Sequence, residues 1–133
     1  GLKRHNQLSS HEHSGSPAPG KVSSMVPSTS SDGQVIPFTS LAPNLLSPAP
    51  AVAGQQVYSH DRSVGVTGAT SLVSKDNSVT PVEGNSASDQ PSTNCDGGFV
   101  AFSSHATNFI SVSGSHINIR SMPQRVELPL SSL

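Results

Sequence analysis

The chain lacks most of what a packed core or a chemical site is built from. It has no tryptophan, one tyrosine and four phenylalanines in 133 residues, so the aromatic groups that dominate core and interface energetics are scarce. Its single cysteine, Cys95, excludes an internal disulfide and with it a small secreted scaffold held by bridges. No Asn-x-Ser/Thr acceptor supports secretion either, since Asn85 is followed by Ser86 and Ala87. Charged residues make up 11% and the formal net charge is −1. That leaves no basic footprint for a phosphate backbone, and no direct nucleic-acid binding is expected of this segment. No apolar run approaches the roughly 18 residues of a membrane span, and the N-terminus has no apolar signal stretch. No membrane partner is expected. The chain starts at Gly1 and not at Met, and is read as an intracellular piece of something longer.

What is abundant is serine, with 27 residues, beside 11 glycines and 11 prolines. Such an alphabet offers little apolar surface to offset the entropy of ordering a chain. The predicted fold class is therefore predominantly intrinsically disordered, Ser/Pro/Gly-rich, with an isolated β-hairpin near 109–119. Residues 15–98 read as a disordered linker: Pro recurs every few positions over 15–54, forcing extended or turn geometry before it, and 55–98 show no sustained period of 3.6 or 2 residues. One apolar island, 35–46, interrupts it. No internal repeat is read from the chain. Residues 99–133 form a β-prone segment, with Phe99-Val100-Ala101-Phe102, Phe109-Ile110-Ser111-Val112 and Ile117-Asn118-Ile119 as short β-branched and aromatic runs. Ser113-Gly114-Ser115 predicts a turn that pairs 109–112 with 116–119.

Residues 1–14 read as a helix at the end of an upstream domain, because Leu2 to Ser14 is free of Pro and Gly. Leu2, His5 and His11 have the spacing Leu-x2-His-x5-His, which resembles the second half of a C2H2 zinc finger, where a helix presents two histidines to the metal. The two Cys ligands are absent, and zinc binding supplies the folding free energy of such fingers, so no metal and no other cofactor is expected. Leu2-Lys3-Arg4 resembles the end of the plant Myb-like domain of type-B response regulators. Both resemblances imply a chain lying immediately C-terminal to a DNA-binding domain, hence a transcription regulator that is nuclear, otherwise cytoplasmic.

Function is then expected in short hydrophobic motifs that recruit other proteins. In the first island Phe38, Leu41 and Leu45 stand at helix-like spacing, with Leu46 beside them. The second offers Phe109, Ile110, Val112, Ile117 and Ile119. Ser16, Ser47 and Thr80 each precede proline and are phosphorylation candidates, each adding about −1.5 to −2 charge. Catalysis is not expected. No Gly-x-Ser-x-Gly elbow occurs, Gly65-Val66-Thr67-Gly68 and Asp96-Gly97-Gly98 read as turns, and His11-Glu12-His13 reads as solvated histidines. The expected function is thus a non-catalytic regulatory tail that recruits partners. The alternative is a small β-rich structural or binding module formed by 99–130 with a flexible leader.

Overall fold

The structure, a computed structural model, describes residue 9 and residues 23–51, 54–109 and 114–122. Two antiparallel sheets run through these residues, which corrects the disordered reading. The first holds β1 (Ser24–Met25), β2 (Val35–Ser40), β3 (Gln56–Asp61) and β4 (Ala69–Leu72), in that order across the sheet. The second holds β5 (Ser88–Thr93), β6 (Phe99–Ser104) and β7 (His116–Ser121), again in chain order. Residues 15–98, expected as linker, therefore contain five strands.

Composition misleads here because much of the interior is small and polar. Thr39, Ser40 and Ser74 are all buried, and their hydroxyls have partners. Thr39 Oγ1 donates to the Met25 carbonyl at 3.1 Å, Ser24 Oγ donates to Ser40 Oγ at 3.0 Å, and Ser40 Oγ accepts the Ala42 N–H at 3.0 Å. A hydroxyl satisfied in this way is cheap to bury, so counting hydrophobes underestimates the core.

The second sheet repeats the first, although no repeat was expected. Residues 27–33 read PSTSSDG and residues 91–97 read PSTNCDG; residues 38–44 read FTSLAPN and residues 102–108 read FSSHATN. Both matches lie at an offset of 64 positions. The ladders agree with the sequence. Ser24↔Ser40 and Met25↔Thr39 recur as Ser88↔Ser104 and Asp89↔Ser103. The β2–β3 ladder, from Val35↔Asp61 to Ser40↔Gln56, recurs as Phe99↔Ser121 to Ser104↔His116. Unusual backbone geometry recurs as well, with Val26 at φ 49° and Gln90 at φ 52°, each followed by Pro. In the second unit this residue marks a shift of register between Asp89 and Ser92, as at a β-bulge.

The turn that enters β2 and β6 is built twice by the same chemistry. Asp32 Oδ1 accepts the Gln34 N–H at 3.0 Å, and Asp96 Oδ1 accepts the Gly98 N–H at 2.8 Å. Gly33 and Gly97, at φ 70° and 74°, supply the left-handed residue such a turn needs. Where the sequences differ, one oxygen replaces another: Ser30 Oγ accepts the Val35 N–H at 3.0 Å, and Asn94 Oδ1 accepts that of Phe99 at 2.9 Å.

The predicted hairpin is corrected in its pairing. β7 takes β6 as its partner, with Ile117 opposite Ser103 and Ile119 opposite Ala101, while residues 107–109 form a turn. Residues 110–113, with Ile110 and Val112 among them, lie outside the described residues. The observed ladder is favoured because β6 is itself paired to β5, giving a three-stranded sheet where an isolated two-stranded hairpin is marginal. Pro37 also sits where a strand ordinarily excludes it. Its carbonyl accepts the Ser28 N–H at 2.9 Å, so its nitrogen faces the same side, beyond the end of β1 at Met25, and no ladder donor is lost.

Between the two units Val57 and Val73 of the first pack with Val100 and Phe102 of the second, and Phe109 and Met122 flank the cluster. Phe109 meets Phe102 edge-on, with ring centroids 6.0 Å apart. On the opposite face of the first sheet Phe38 and Tyr58 stack at 5.8 Å among Ala42, Leu45, Leu46 and Leu72. Burial, and then the charge of Glu83, push the Tyr58 phenol up to about 12.

Candidate functional site

The joint between the units is tight and partly polar. Gly97 lies against Val35: a Cβ on Gly97 would stand 2.5 Å from Val35 Cγ2. Beside that contact both the N–H and the hydroxyl of Ser31 donate to the Cys95 carbonyl, at 2.9 and 2.8 Å. The segment linking the units is held by Gln56, which is fully buried. Its Oε1 accepts the Ser74 hydroxyl at 2.6 Å, and its Nε2 donates to the carbonyls of Ser86 at 3.3 Å and Gly84 at 3.5 Å. Asn85 and Asn108 add a second tie, since Asn85 N donates to Asn108 Oδ1 at 3.0 Å and Thr107 N donates to Asn85 Oδ1 at 2.9 Å.

Arg120 on β7 clamps the loop after β4. Its Nη1 donates to the Lys75 and Asp76 carbonyls at 2.9 and 3.0 Å and to Asn77 Oδ1 at 3.2 Å. Partial burial lowers the Arg120 pKa, and the nearby Asp76 carboxylate opposes that shift. Asp76 is itself held below the usual carboxylate range, chiefly by the Ser78 hydroxyl and then by the Val82 N–H. These contacts fix a joint and leave its groups occupied, so its role is cohesion.

The second unit presents the surface that is left over. Alternation along β6 and β7 puts Phe99, Ala101 and Ser103 on one face with Ile117, Ile119 and Ser121. Phe99 is 49% exposed, Ile117 72% and Ile119 68%. None of these six residues is charged, Asp89 of β5 borders the face opposite Ser103, and exposed apolar side chains grouped on a paired sheet mark a contact surface.

The residues singled out from the sequence divide between core and surface. Phe38 and Leu45 are buried in the first unit, and Leu46 is packed against them. They are core residues, which corrects their reading as anchors presented to a partner. Leu41 is exposed, and Phe109 is half-buried at the joint. Ile117 and Ile119 are the two expected anchors that stand on the exposed sheet face. Ser47 and Thr80 are exposed, whereas Ser16 and residues 2–8 with the zinc-finger and Myb-like resemblances lie outside the described residues, as does His11. Sequence reasoning missed Phe99, whose position opposite Ser121 depends on the β6–β7 register, and missed Gln56 and Arg120.

Among the described residues no three of His, Cys, Asp and Glu gather as metal ligands, and no helix is long and apolar enough to cross a membrane. The architecture defines a tandem β-repeat protein, two antiparallel sheet units docked on one another. No protein-family model, curated protein or solved structure matches the chain.

Proposed function

We propose that this chain is a non-catalytic β-repeat module that works by binding another protein on the exposed β6–β7 face. The observation that supports the reading is the exposed apolar set Phe99, Ile117 and Ile119, held in register by a paired ladder. Anchors fixed on a sheet lose little conformational entropy on binding, unlike those on a flexible tail. Recruitment through the first island is a poorer fit, because Phe38 and Leu45 are spent on the core. The setting in a nuclear transcription regulator rests on the resemblance of residues 2–11 alone.

A photoreactive side chain placed at position 117, compared with one at the fully exposed Val79 loop position, tests this. Protein adducts formed from position 117 well above those from position 79 are the expected result. Equal yields at the two positions would count against a contact surface on β6–β7.

A further inference from the structure

We propose that the occupant of this face is a second copy of the same chain, docked head to tail through its first unit. The inference rests on the reading that the β6–β7 face binds protein, and it names the partner from the repeat itself.

The two units share one design but not one environment. In the first unit Val35, Pro37 and Val57 are buried on the face turned toward the second unit, where Val57 meets Val100 and Phe102. Their counterparts by register are Phe99, Ala101 and Ile117, which face outward. The asymmetry also runs the other way. In the second unit Pro91, Gly97 and Gly98 are buried, at or beside β5, the strand that packs on β2 and β3. Their counterparts in the first unit are Pro27, which is exposed, and Gly33 and Gln34, which are half-buried. The β6–β7 half of the joint therefore recurs uncovered at the far end of the second unit, and the other half recurs exposed only around Met25, Val26 and Pro27, since Phe38, the counterpart of Phe102, is covered by the first unit's own Leu45, Leu46 and Leu72.

The contact around Gly97 has a counterpart around Gly33. Val35 occupies the space beside Gly97, whereas beside Gly33 the nearest atom to a Cβ is Arg62 Nη1 at 3.8 Å. Phe99, the counterpart of Val35, is larger, and the group beside Gly33 is the Arg62 guanidinium, which donates to the Gly33 carbonyl at 3.0 Å and has to swing aside to admit it. Seating Phe99 of one copy over Gly33 of the next reproduces the Val35–Gly97 contact. The same placement brings the Cys95 N–H to the Ser31 carbonyl of the second copy, the counterpart of the observed bond from Ser31 to Cys95. Met25 and Val26, each 45% exposed beside Pro27, supply apolar area for Ile117 and Ile119. Such a contact is heterologous, so it extends into a ring or an open filament according to the rotation between neighbours. Stacked antiparallel sheet units close in this manner in β-propellers.

Sedimentation of the full chain over a wide concentration range tests the proposal. The wild type is expected to associate, its mean mass rising with concentration. Ile117→Asp combined with Ile119→Asp removes the docking face, and Pro27→Glu charges the receiving one. Each variant is expected to be monomeric with a circular dichroism spectrum matching wild type. A mixture of the two is expected to give a one-to-one complex that grows no further, because each retains the half the other has lost. A Pro27→Glu protein that associates as the wild type does would overturn the head-to-tail geometry. A wild type that stays monomeric throughout would overturn the second copy as partner. Adducts to a different protein from position 117 would then leave the binding-module reading standing, and their absence would remove that reading too.

Discussion

Gly97→Ala is expected to destabilise the protein by about 2–5 kcal/mol, against about 1–2 kcal/mol for Gly33→Ala. Both glycines have the same left-handed geometry, at φ 74° and 70°, so both substitutions carry the strain of an L-residue there. Only Gly97 has a wall behind it. Its added Cβ would meet Val35 Cγ2 at 2.5 Å and Val35 Cβ at 2.7 Å, and a buried β-branched side chain cannot swing aside. The difference between the two variants therefore reads the joint between units and little else. Urea midpoints with an unchanged denaturant slope would measure it. Equal losses at Gly33 and Gly97 would show that the second unit does not press on Val35.

Gln56→Ala is expected to cost about 2–4 kcal/mol, because it removes volume and strands several buried groups together. The Ser74 hydroxyl loses its acceptor, and the carbonyls of Gly84 and Ser86 lose the amide that ties the link between units to β3. Ser74 Oγ also accepts the Val57 N–H at 3.1 Å, so Gln56 and Ser74 act as one network. Ser74→Ala should be costly for the same reason, and the double variant should lose less than the two single losses added together. Strict additivity in thermal unfolding would mean that the amide and the hydroxyl act independently.

Legibility in the sequence followed the apolar residues and failed where polar ones replaced them. The runs at 99–102 and 117–119 lie in β6 and β7, and the island at 35–46 contains β2 with Phe38 and Leu45. β3 and β5 gave no such signal. Gln56-Val57-Tyr58-Ser59-His60-Asp61 is buried on both faces of its sheet, so the alternation that marks a half-solvated strand is absent. Ser88-Asp89-Gln90-Pro91-Ser92-Thr93 carries a proline at its register shift, a residue that argues against a strand wherever the bulge is unseen.

The repeat stayed hidden for a related reason. Its identities are mostly Ser, Thr, Pro, Asp and Gly, the residues this chain uses everywhere. β3 and β7 share their place in the ladder but no identity along it, because backbone pairing tolerates Gln56 and His116, or Tyr58 and Asn118, at equivalent positions. The exposed face of β6–β7 could be recognised only through that ladder. Ile117 and Ile119 were legible as apolar residues, whereas their alignment with Phe99 was not.

The chain folds as two docked copies of one sheet unit. Nuclear Overhauser contacts in the isotope-labelled full chain test it most directly. The prediction is a well-dispersed amide spectrum with cross-strand contacts between Ser24 and Ser40 and again between Ser88 and Ser104, together with contacts from the Val57 methyls to Val100 and the Phe102 ring. Crowded amide signals, or two sheets without the Val57 to Phe102 contact, would contradict it.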